Sequence, residues 1–120
     1  MEKVFSFKHI DNPEFCEDYA KLKLVVLEES GLLDHLQAVS LRLLFYKQVN
    51  EGEGEGFTVE GVLAKADGSI IKCQGNSHKM LDSINSMVEN LKIQIKKISE
   101  NKALEYNRDS FYPYYYSEYY

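Results

Sequence analysis

Hydrophobic and polar positions alternate along the first ten residues of this chain. Phe5 and Phe7 are set against Ser6 and Lys8, the period of a half-buried strand over residues 3–10. The period then changes. Asp11-Asn12-Pro13-Glu14 is a helix start: Asn12 can accept from the first free amides, Pro13 suits the first helical position, and Glu14 favours the positive end. The predicted helix runs to about residue 29 or 30, with Gly31 as its stop. Phe15, Tyr19, Leu22 and Val26 make its inner stripe, widened by Leu24, Val25 and Leu27.

Residues 38–49 read as a long strand, with Val39, Leu41, Leu43 and Phe45 on one face and Ser40, Arg42, Leu44 and Tyr46 on the other. The glycine-rich acidic run at 50–56 has no apolar side chain and predicts a mobile hairpin loop. Residues 57–65 resume the strand pattern, Ala66-Asp67-Gly68-Ser69 is a tight turn, and a short strand follows over 70–74, broken at Gly75-Asn76-Ser77. From Met80 the apolar residues fall at Ile84, Met87, Val88, Leu91, Ile95 and Ile98, one continuous helical stripe in a helix expected to reach about residue 102.

A strand, a helix and a strand form a crossover with parallel strands, and hairpins join the next two strands. The expected fold is therefore α+β, a two-layer sandwich of order β-α-β-β-β-α. Two helices cover one face of a four-stranded mixed sheet, and the open face carries Arg42, Tyr46 and Lys72. This accounts for residues 1–102. Residues 103–120 differ in composition, holding seven of the nine tyrosines beside Phe111 and Pro113, and read as a flexible tail. Tyr112, Tyr114, Tyr115 and Tyr116 join a planar apolar body to a polar tip and are its candidate partner-binding residues.

At 120 residues one core is expected, and 44% hydrophobic with 28% charged residues is ordinary globular composition. No apolar run approaches the roughly 18 residues that span a bilayer, and no signal-peptide core follows Met1-Glu2-Lys3, so a cytoplasmic protein is expected. Cys16 and Cys73 read as small buried hydrophobes. With His9, His35 and His78 they show no metal-ligand spacing, so no metal and no cofactor is expected. Gly52, Gly54 and Gly56 lack the lysine of a phosphate loop. No pairing of nucleophile and base stands out, which predicts a binding protein rather than an enzyme.

A formal charge of -5 argues against indiscriminate nucleic-acid binding, yet Lys92, Lys96, Lys97 and Lys102 gather near one helix end. There the helix dipole favours them, and they form a local positive spot.

The order of elements and the last strand and helix resemble the ribosome hibernation-promoting factor family, also called ribosomal subunit interface proteins. That family carries a helix similar to Asp-Met-Tyr-x-Ala-Ile-Asp followed by Lys-Leu-x-Arg-Gln-Leu-x-Lys. Here the runs are Lys79-Met80-Leu81-Asp82-Ser83-Ile84-Asn85 and Asn90-Leu91-Lys92-Ile93-Gln94-Ile95-Lys96-Lys97. Met80, Ile84, Leu91, Gln94 and Lys97 agree; Lys79, Leu81, Asn90 and Ile93 depart. The resemblance implies binding of the small ribosomal subunit through ribosomal RNA in the decoding channel, with translation held idle. Its implied RNA-binding residues are Lys21, Lys23, Lys79, Lys92, Lys96 and Lys97.

Two other readings compete. One is a protein-interaction module on the same fold, with a homodimer or docking through the tyrosine tail. The other is a stand-alone binder of duplex RNA, since such domains also place helices on one face of a sheet.

Overall fold

The computed structural model describes residues 1–50 and 54–110, with side chains for 1–49 and 54–98. It contains the strands β1 (Glu2–Lys8), β2 (Ala38–Asn50), β3 (Gly54–Lys65) and β4 (Ile70–Ser77), with helix α1 (Pro13–Glu29) after β1 and helix α2 (Met80–Ser110) after β4. The sheet order is β1-β2-β3-β4, parallel between β1 and β2 and antiparallel thereafter. This is the expected two-layer architecture.

The inner face of the sheet presents Phe5 and Phe7, then Leu41, Leu43 and Phe45, then Val59 and Leu63, then Ile71 and Cys73. Phe5 and Phe7 both stack on Phe45, with ring centroids 6.3 and 4.8 Å apart. α2 contributes Ile84, Met87, Val88, Leu91 and Ile95 to the same core, as its stripe predicts. Burying a side chain of this size contributes roughly 1.5–3 kcal/mol. Arg42, Tyr46 and Lys72 lie on the opposite, open face, as expected from alternation.

Five local expectations are corrected. Val39 is exposed rather than aligned with Leu41, Leu43 and Phe45, because the register shifts between Ala38 and Ser40. α1 turns Cys16, Ala20, Leu24 and Leu27 inward, while Phe15, Leu22 and Val26 are exposed. The helix has two apolar stripes, and the one that contains the small residues Cys16 and Ala20 is the one buried in the core. Asn12 makes no side-chain cap bond; its Oδ1 accepts from the Cys16 thiol at 3.8 Å. Residues 54–56 are strand, because Gly54, Glu55 and Gly56 pair with Asn50, Val49 and Gln48, and ladder pairing needs backbone rather than apolar side chains. Only 51–53 separate β2 from β3, and they lie outside the described residues. β4 also runs through Gly75 to Ser77 without a break.

α1 begins with Pro13 and ends before Gly31, whose φ of 80 suits glycine. α2 continues past residue 102 to Ser110. The tail residues Tyr112, Tyr114, Tyr115 and Tyr116 lie outside the described residues.

Candidate nucleic-acid interface

Each helix follows a strand through a short connection and runs back against it. β4 has the direction of β2 and hence of β1, so α1 and α2 lie parallel on the sheet. Tyr19 of α1 joins them, its hydroxyl donating to Asn85 Oδ1 of α2 at 3.1 Å. That contact identifies the flank each helix turns to the other.

On α1, Lys23 lies one turn beyond Tyr19, and its ammonium sits 5.4 Å from the Tyr19 ring centroid. On α2, Lys92 and Lys96 follow Asn85 at spacings that keep one side of a 3.6-residue helix. Lys23, Lys92 and Lys96 therefore flank the groove between the helices. Lys92 is paired with Glu89 at 3.2 Å, an exposed contact of little energy that a phosphate can displace. Lys96 is exposed and has no ion pair among the described residues.

The other three candidates sit elsewhere. Lys21 occupies the far flank of α1, paired with Glu17 at 3.3 Å and 5.6 Å from the ring centroid of Phe5 on the edge strand β1. Lys97 is turned about 100° from Lys96. It shares a flank with Asn90 and Gln94 and lines a hollow of about 640 Å³ against Lys72 and Gln74. Lys79 lies just before α2, its carbonyl accepting from the Ser83 amide at 3.1 Å, roughly 27 Å along the helix from Lys97. The six lysines thus occupy separate surfaces, and three of them share the inter-helix groove.

Asn90 and Gln94, which the sequence marks only by their agreement with or departure from the family helix, have side chains that cap the outward edge of β4. Asn90 Nδ2 donates to the Gln74 carbonyl at 2.5 Å and Gln94 Nε2 to the Lys72 carbonyl at 2.6 Å. Their spacing of four on α2 was the available signal, yet only the packing of α2 on β4 reveals what they meet.

The thiols offer no chemistry to the groove. Burial pushes Cys16 above its ordinary range and Cys73 to about 11, so both stay protonated at neutral pH. Among the described residues no group of His, Cys, Asp and Glu could hold a metal ion, and no helix is long and apolar enough to cross a membrane.

No protein-family model and no curated protein matches this chain. Solved structures do. A ribosomal subunit interface protein from Coxiella burnetii superposes with a TM-score of 0.64 at 16% identity, over 83% of this chain and 99% of that one. The N-terminal domain of Thermus thermophilus Protein Y gives a TM-score of 0.52 at 16% identity, over 82% of this chain and 99% of that one. The chain therefore has the fold of the ribosome hibernation-promoting factor family. At this identity the likeness is one of fold; the residues of the site have to be argued from their own geometry.

Proposed function

We propose that this protein is a cytoplasmic, non-enzymatic ribosome-associated factor that binds ribosomal RNA of the small subunit in the decoding channel and holds the ribosome idle. One observation carries the reading: on a fold shared with ribosomal subunit interface proteins, two parallel helices bring Lys23, Lys92 and Lys96 to a single groove. A lysine ammonium at a phosphate releases condensed counterions, and structured RNA is bound by shape and backbone without a base-reading motif. Lys97, Lys79 and Lys21 lie on separate flanks and would serve as outlying phosphate contacts.

The test is co-sedimentation with isolated small subunits and whole ribosomes across a salt series. Replacing Lys23, Lys92 and Lys96 by alanine should weaken binding and reduce the log-log salt slope by about two to three. Unchanged affinity and slope in that variant, or no sedimentation at low salt, would overturn the reading.

A second reading is favoured by the exposed stripe Phe15, Leu22 and Val26 on α1. In it the protein is an interaction module, a homodimer or a docking domain, with Tyr112, Tyr114, Tyr115 and Tyr116 of the tail as partner contacts. Removal of residues 106–120 should then abolish association and leave the fold intact.

A further inference from the structure

The open face of the sheet, opposite the helices, is not the inert polar surface that a two-layer fold requires. Cross-strand register lays it out in rows. Lys8, Tyr46, Thr58 and Asn76 stand side by side across all four strands. Two rows away stand Val4, Arg42, Val62 and Lys72.

Tyr46 is held by its tip, the hydroxyl donating to Glu60 Oε1 at 2.9 Å, which fixes the ring's orientation on the sheet. Beside it is a hollow of about 630 Å³ with no side chain at Gly56 on its floor. Thr58 in this hollow is 2% exposed as a residue although it lies on the open face. Its hydroxyl donates to Asn76 Oδ1 at 2.5 Å and has Gln48 Oε1 at 3.5 Å. The single hydroxyl proton goes to Asn76 Oδ1, which leaves the Asn76 N–H₂ as a donor, and Gln48, an exposed residue, keeps its amide for a further partner.

The charges point the same way. Lys8, Arg42 and Lys72 have no ion pair among the described residues. Among the described residues this face also carries two carboxylates, Glu60, which accepts from the Tyr46 hydroxyl, and Glu2 at the far end of β1.

We infer that this face binds single-stranded RNA, with a base stacked on Tyr46, its edge read by the amides of Gln48 and Asn76, and the phosphates held by Lys8, Arg42 and Lys72. A ring beside neutral donors suits an unpaired base, whose flat face and edges are free, and unpaired cations suit the backbone. The surface is separate from the inter-helix groove and does not depend on ribosome binding.

The test is fluorescence anisotropy of the full chain with a labelled short oligouridylate. The parent protein should bind in a salt-sensitive manner. Tyr46→Leu, which keeps apolar bulk and removes the ring, should weaken binding about tenfold, whereas Tyr46→Phe should retain most of it. Alanine at Lys8, Arg42 and Lys72 should lower the log-log salt slope by about two. Alanine at Lys23, Lys92 and Lys96 should leave oligouridylate affinity within about twofold, since those charges belong to the helical layer on the other side of the sheet and are screened by salt. Thermal unfolding of each variant separates lost binding from lost fold, and the charge variant, altered only at exposed positions, tests the face even if Tyr46→Leu unfolds. No binding at low salt, parental affinity in Tyr46→Leu and the charge variant alike, or equal competition by an RNA duplex would overturn the inference.

Discussion

Gly75 of β4 lies directly beneath Ser83 of α2. A Cβ on Gly75 would stand 2.1 Å from the Ser83 carbonyl oxygen and 2.5 Å from the Met87 amide nitrogen. The Ser83 side chain seals the same junction, its hydroxyl donating to the Phe57 carbonyl at 2.8 Å. Helix backbone thus meets strand backbone with no side chain between them, which sets how close α2 sits to the sheet.

Gly75→Ala should therefore destabilise the protein by about 3 kcal/mol, because the atoms it meets are backbone and can move only if α2 shifts. Gly56→Ala is the control: its Cβ would be 3.7 Å from its nearest neighbour, the Ser77 carbonyl, an ordinary contact. Urea unfolding of the two variants should show a large loss for the first and a change within about 1 kcal/mol for the second.

The caps on β4 make a second prediction. Asn90 and Gln94 occupy carbonyls that an edge strand would otherwise offer to another chain. The double alanine variant should lose about 1–2 kcal/mol of stability and gain concentration-dependent self-association, measured by light scattering. A double variant that stays monomeric at high concentration would show that the caps do not guard this edge.

Alkaline pH should weaken the fold through Cys73. Burial raises its thiol from 9.0 to about 11, so above pH 9 the folded state holds a proton that the unfolded state releases. Unfolding free energy then falls as pH rises. The contribution is complete below the unfolded value and is lost by roughly 3 kcal/mol as pH climbs through the folded one. Tyr46, raised by burial and then by its bond to Glu60, adds in the same direction above pH 10. Chemical unfolding at about pH 8 and about pH 10.5 should show the decline in the parent protein and a smaller one in Cys73→Ala.

The outer stripe of α1 can be changed without touching the core. Leu22 and Val26 are 62% and 56% exposed. Leu22→Gln with Val26→Gln should alter stability by no more than about 0.5 kcal/mol per site. Sedimentation equilibrium then decides the second functional reading: if the stripe mediates self-association, the parent is a dimer and the variant a monomer, and identical masses would remove the stripe from consideration.

Much of the architecture was legible in the order of residues. Strand period over residues 3–10 and 38–49, proline at the start of α1, the Asp67-Gly68 turn and the unbroken stripe of α2 predicted the elements and their order, because each is a local signal repeated several times. The open-face positions of Arg42, Tyr46 and Lys72 followed from alternation alone. The same reading took Gly75 for a break, since a glycine in a strand carries no local mark that tells an interruption from a place where a helix presses down.

What only the tertiary structure decided were choices between equally local alternatives. α1 carries an apolar stripe on each of two sides, and the sequence ranks the one with the larger residues first. The core takes the other, burying Cys16, Ala20, Leu24 and Leu27. The lysines behave likewise: helical spacing states which of them share a flank, but which flank meets the neighbouring helix depends on the contact between Tyr19 and Asn85, 66 residues apart in the chain. Periodicity is a property of one segment, whereas the inward direction is set by what lies beside it.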